Sequence, residues 1–152
     1  MATTPFSAVY DLFLVEIQDY NLDNLYAATP TDFYNYLQGY LVKAIPDFSN
    51  CIQDLQNNYD TVNAVFNLTL TLTEQVILAN LMTIKWLNKQ INDIKQMNLH
   101  LNDTDFKFYS EAQNLREKVN HRNNLREIVN QDMVTYGLKN VNWTNWQNGV
   151  FT

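Results

Sequence analysis

The chain has 152 residues, a net charge of −6 and 46% hydrophobic residues. That length suits one domain with one sizeable core, since single domains cluster at roughly 100 to 150 residues. Three glycines and three prolines are too few for a loop-rich or all-β chain and favour helices. Cys51 is the only cysteine, which excludes an intrachain disulfide and a cysteine-based zinc site and fits a reducing compartment; its side chain reads as a small buried hydrophobe.

The N-terminus has neither the positive region nor the apolar run of a signal peptide, and no stretch approaches the roughly 20 apolar residues of a membrane span. Sequons at Asn67, Asn102 and Asn142 are what a chain rich in Asn and Thr produces by chance. The charge is divided: residues 1–84 carry nine acidic groups against Lys43 alone, whereas residues 85–152 carry nine basic groups against seven acidic ones. Either the basic half folds against the acidic half of the same molecule, or the acidic face of one subunit meets the basic face of the next, a head-to-tail contact that can close into a ring. The acidic total argues against nucleic acid as principal partner, because that affinity comes from neutralised phosphates.

In "TTPFSAVYDLFLVEIQDY", Thr4 is placed to cap and Pro5 to open a helix whose face is Phe6, Val9, Tyr10, Phe13, Ile17 and Tyr20. "ATPTDFYNYLQGYLVKAI" repeats the pattern with Thr29 as cap, Pro30 first and Asp32 at the positive end of the dipole; its stripe is Phe33, Leu37, Tyr40, Leu41 and Ala44. Pro46 should end or kink it by pushing Ile45 away from helical angles. A shorter helix over residues 48–59 would use Phe48, Ile52, Leu55 and Tyr59. In "VNAVFNLTLTLT", Val65, Leu68, Leu70 and Leu72 alternate toward its end as in a strand. With no second convincing strand, this segment is expected to be an extended connection rather than an edge pairing with another subunit.

Thr71 to Glu74 forms a capping box, and Ile77, Leu81, Ile84, Leu87, Ile91, Ile94, Met97 and Leu101 then recur at intervals of three and four as the seam of a long helix. Residues 102–104 supply a turn and cap. A second long helix follows, with Tyr109, Ala112, Leu115, Val119, Val129, Met133 and Tyr136 inward and Gly137 as its stop. The expected fold is all-α: a helical bundle built on a long antiparallel helical hairpin (residues 1–136), with an extended C-terminal arm (residues 137–152).

No catalytic or metal constellation emerges. His100 and His121 lack a second ligand or carboxylate at metal spacing, Asp103 and Asp105 suit a capping turn, and no glycine-rich phosphate loop or hydrolase motif is present, so neither enzyme activity nor a cofactor is expected. Arg116, Lys118, Arg122 and Arg126 form a basic stripe on the last helix, with His121 beside them: a solvated face beside Glu117 and Glu127, a contact with an acidic neighbouring subunit, or a contact with passing DNA. The arm carries Val141, Trp143, Trp146, Val150 and Phe151 with a single charge, Lys139, among sixteen residues. Burying each large side chain is worth about 1.5–3 kcal/mol. These residues should therefore find a pocket, either on their own bundle or, as we favour, on another protein, where Trp is a preferred anchor.

The segments "LTEQVILANLMTIKWLNKQI", "DFKFYSEAQNLREKVNHRNNLRE" and "DMVTYGLKN" resemble helical connector, or neck, proteins of tailed bacteriophages, mainly over residues 72–140 and by overall pattern. The resemblance implies a structural virion protein made in the bacterial cytoplasm. It would assemble as a twelve-fold ring with itself, docking its arm on the portal and receiving the next neck or tail protein, with passive DNA contact in the channel and no membrane partner. A tail-completion or baseplate component, or a small helical regulator of one host protein, shares the helical character.

Overall fold

Pro5 marks the first departure from the expected pattern. The computed structural model describes residues 3–17, 19–100, 105–141, 143 and 147, with side chains except at 20–21 and 98–111. In it Thr4–Pro5 is a short strand, β1, and helix α1 runs Phe6–Glu16. The Thr4 hydroxyl does not cap that helix; it accepts from the Leu70 backbone N–H at 2.8 Å, tying the N-terminal segment to the chain just before a later helix. Ile17 turns extended (ψ 148°) and ends α1, so the stripe expected to run on through Ile17 and Tyr20 is broken there. Tyr20 instead opens α2, Tyr20–Ala28, a helix the sequence reading did not anticipate.

Helix α3, Pro30–Ala44, matches its stripe: Phe33, Leu37, Tyr40, Leu41 and Ala44 are all buried. Thr29 occupies the cap position but its side chain makes no capping hydrogen bond. Pro46 ends the α-helix as expected, yet Ile45 keeps helical angles (φ −50°, ψ −49°), because a 3-10 turn over Ile45–Asp47 absorbs the proline.

The expected helix over 48–59 is absent. Phe48 and Leu55 are buried, but Ile52 is 62% exposed. Polar side chains take the backbone groups a helix would use: Asp54 accepts from the Asn57 N–H and side-chain amide, and the Asn58 amide donates to the Asp54 carbonyl. Tyr59–Asp60 becomes strand β2 and Val65–Phe66 strand β3. Of the alternating segment only Val65–Phe66 pairs, and within this chain; Leu68 and Leu70 lie in the connection that follows, as expected. β3 lies between β1 and β2, antiparallel to both, with Thr4 and Tyr59 opposite Phe66. The β2–β3 turn is held by Asp60, whose carboxylate accepts from the Val62 and Asn63 N–H groups and the Asn63 side chain. Those bonds, the Asn63 side chain first, hold the Asp60 carboxyl below its usual range. Ala64 closes the turn at φ 53°, and its carbonyl accepts from Phe6 N–H at 2.8 Å.

Helix α4, Leu72–His100, contacts α1, α3 and helix α5, Asp105–Lys139. Ile77, Leu78, Leu81, Met82, Ile84, Leu87 and Ile91 are buried in α4, and Phe6, Val9 and Phe13 of α1 and Leu37 and Leu41 of α3 complete the core. The seam then opens: Ile94 is half-buried and Met97 is 58% exposed, while Leu101 and the turn at 102–104 lie outside the described residues. On α5, Val129 and Tyr136 are buried, Leu115, Val119 and Met133 are half-buried and Ala112 is exposed; the Tyr109 side chain is outside the described set. Gly137 does not stop α5, which continues to Lys139. Asn50 packs beside it, its amide donating to the Met133 carbonyl at 2.6 Å and lying 3.4 Å, an ordinary contact, from where a Cβ would stand. The observed class is mostly helical, five α-helices among the described residues with one small sheet beside them, rather than helix alone.

Candidate functional site

The last turns of α5 gather most of the residues of interest. Tyr136 faces inward at 7% exposure, whereas Val134, Leu138, Val141 and Trp143 are 59%, 50%, 39% and 51% exposed. Trp146, Val150 and Phe151 lie outside the described residues. The end of α5 is thus amphipathic in reverse: one aromatic fixes it to the core, and an apolar set faces outward.

Tyr136 belongs to a buried polar cluster that periodicity could not reveal. The Thr71–Glu74 capping box forms as expected, the Glu74 N–H donating to Thr71 Oγ1 at 3.3 Å and the Thr71 N–H to Glu74 Oε2 at 2.7 Å. Glu74, only 2% exposed, also accepts from the Thr71 hydroxyl at 2.9 Å, from Gln53 Nε2 at 3.1 and 3.0 Å and from the Tyr136 hydroxyl at 2.6 Å. Tyr136 in turn accepts from the Ile52 N–H at 3.3 Å. Burial alone would raise the Glu74 carboxyl, but donation from Tyr136, Thr71 and Gln53 outweighs it and holds the group below its ordinary 4.5. Burial, and then donation to Glu74, pushes the Tyr136 phenol up.

Cys51 lies at the edge of this cluster, half-buried, with Sγ 3.8 Å from both Glu74 Oε1 and the Tyr136 hydroxyl. Burial pushes its thiol up, so it is a polar-edged packing group rather than the simple hydrophobe expected. Chemically, the cluster is a charged clasp: one carboxylate joins the 48–58 segment, the start of α4 and the end of α5, 62 residues apart along the chain.

The basic stripe divides into two kinds of residue. Lys118 and Arg122 are half-buried and turned toward α4, Lys118 Nζ donating to Gln90 Oε1 at 3.4 Å and Arg122 Nη1 to Asn88 Oδ1 at 3.2 Å; Arg122 also holds Asn123 Oδ1 at 2.8 Å. Arg116 and Arg126 are exposed, as is His121, while the His100 side chain is outside the described set. Among the described residues no group of three or more His, Cys, Asp or Glu could hold a metal ion, and no helix is long and apolar enough to cross a membrane. Compared with known protein families, characterised proteins and solved structures, the chain matches none.

Proposed function

We propose that this chain is a structural virion protein, an adaptor ring that joins the portal of a tailed phage capsid to the tail, with its C-terminal arm docking on the portal. The observation that carries the reading is the outward apolar set at the end of α5, Val134, Leu138, Val141 and Trp143. An apolar cluster of this kind, extended in sequence by Trp146, Val150 and Phe151, is what a partner surface buries. The antiparallel pairing of α4 and α5 supports it: Tyr136 meets Glu74, Arg122 meets Asn88 and Lys118 meets Gln90. On this reading the pair is the hairpin that presents the arm. The exposed Arg116 and Arg126 then face the acidic part of the neighbouring subunit or the DNA channel.

Deleting residues 141–152 should leave a folded bundle, with unchanged far-UV circular dichroism, that no longer binds the purified portal ring of the same virion. Undiminished binding by the truncated chain would overturn the docking role. Sizing on the portal tests the ring: a cyclic array of copies supports the adaptor, whereas a small one-to-one complex with a host protein supports a helical regulator using the same arm.

A further inference from the structure

A hollow of about 350 Å³ opens between α1, α2 and α3. That volume is in the range of small-ligand sites, about 300–1,000 Å³. Its walls include Tyr10, Tyr26, Phe33 and Tyr34, and Asp11 and Asp23 stand exposed at its edge. The rings form one cluster: Tyr26 meets Phe33 at 5.2 Å and Tyr34 at 6.4 Å edge-on, Phe33 meets Tyr34 at 5.3 Å, and Tyr34 stacks on Tyr10 at 6.4 Å. A third carboxylate on the lining, Asp19, is already engaged by Trp86 Nε1 at 3.1 Å. Among the described residues no Lys or Arg lines the hollow, in a half of the chain whose only basic side chain is Lys43.

The second, independent observation is Tyr10 itself. It is 3% exposed, and its hydroxyl is the one buried side-chain polar atom without a hydrogen-bond partner among the described residues. Folded proteins rarely leave such a group unpaired. Tyr34, 46% exposed, stacks over Tyr10 in the wall of the same hollow.

We propose that the α1–α2–α3 hollow is a binding site for an alkylguanidinium or alkylammonium group. The flat cation lies against the ring faces, its N–H groups reach the Tyr10 hydroxyl, and Asp11 and Asp23 supply the opposite charge. Ring faces attract cations, and guanidinium combines stacking with several donors. Burial keeps Tyr10 in its neutral form, whose hydroxyl oxygen still accepts from such a donor. The site does not depend on the adaptor reading, because its test needs no portal and no ring.

The test is a titration of the isotope-labelled full chain with butylguanidinium, followed by NMR, with the neutral isostere butylurea as control. Saturable shifts should map to Tyr10, Tyr34 and the backbone around Asp11 and Asp23, with Kd on the order of 1 mM. Butylurea should bind at least about tenfold more weakly, as expected when charge dominates recognition. Asp11→Asn and Asp23→Asn should each weaken the cation by about two- to fivefold, the range for exposed ion pairs. Tyr10→Phe should weaken it while leaving the apo spectrum folded. No saturable shift, equal binding of butylurea, or shifts confined to α5 would overturn the proposal. Sedimentation with and without saturating butylguanidinium identifies the source. Dissociation of an oligomer by the free cation assigns the site to a Lys or Arg of a second copy, and a monomer under both conditions assigns it to a free organic cation.

Discussion

Replacing Tyr136 with Phe removes one oxygen and leaves the ring in place against Phe48, 5.3 Å away centroid to centroid. Two hydrogen bonds go with it. The Ile52 N–H loses an acceptor at 3.3 Å, but Ile52 is 62% exposed, so water replaces much of that bond. The larger loss is at Glu74, whose buried carboxylate gives up its 2.6 Å donor. Hydrogen bonds to charged groups contribute about 1.5–3 kcal/mol. Tyr136→Phe should therefore cost about 2 kcal/mol near neutral pH, and lower Tm by roughly 4–8 °C for a chain of this size. The pH dependence identifies the cause. Glu74 has a folded pKa below its ordinary 4.5 despite the opposing effect of burial, so its stabilisation is fully present above 4.5 and is lost as pH falls through the folded value. Without the Tyr136 donor that folded value moves back toward 4.5, so the variant loses less stability in acid than the parent. The gap between them should close as pH falls below 4.5 and through the parent's folded value. Equilibrium denaturation by far-UV circular dichroism across this range measures both quantities. A difference below about 0.5 kcal/mol at neutral pH, the size of an ordinary surface change, or one that stays constant into acid, would refute the clasp.

Thr71→Ala removes the hydroxyl half of the capping box, leaving the Thr71 N–H on Glu74, and should destabilise by about 1 kcal/mol in denaturant titrations. Cys51 should react with a disulfide reagent near neutral pH more slowly than a free thiol, because burial disfavours its thiolate, and unfolding should abolish the difference. Ile91→Ala, in the buried part of the α4 seam, should cost about 2–5 kcal/mol, whereas Met97→Ala, where the seam is 58% exposed, should stay within roughly 0.5 kcal/mol. Gly137→Ala and Gly39→Ala should each stabilise by about 0.5–1 kcal/mol through helix propensity. Both lie inside helices, and an added Cβ meets only ordinary contact with Asn50 at the first and nothing within 4 Å at the second; a loss at Gly137 alone would show that the Asn50 contact decides there.

Long amphipathic segments were legible because burial there follows the helical period. α3 and the first five turns of α4 obey it residue by residue. The same rule misled at 48–59, where Phe48, Ile52, Leu55 and Tyr59 keep helical spacing while Asp54, Asn57 and Asn58 capture the backbone. α2 escaped notice because it fixes itself with few core side chains, Leu22 being buried and Leu25 half-buried. Two-residue strands are shorter than any period, and the alternation of Leu68, Leu70 and Leu72 lies beyond the central strand Val65–Phe66, so the sheet itself left almost no trace. Of the candidate site, the box Thr71–Glu74 was readable because its partners are three residues apart. Gln53, Cys51 and Tyr136 join the same carboxylate from 21, 23 and 62 residues away, a proximity that tertiary folding creates and no local pattern records.

That distance is what gives the clasp a bearing on function. Tyr136 stands one position before Gly137 and five before Val141, so the bonds that hold its ring and hydroxyl hold the last turns of α5 against the rest of the fold. Asn50 adds a second tie from the same 48–58 segment, at Met133. The outward apolar set thus follows a helix end that one buried carboxylate ties to the start of α4. On the adaptor reading, a portal-facing arm needs a rigid point of departure, because ordering a loose segment on binding consumes affinity. Tyr136→Phe, which touches no residue of the arm, should then weaken docking as well as stability. The deletion of residues 141–152 should abolish docking alone, and this contrast between the two variants separates the role of the anchor from that of the surface it presents.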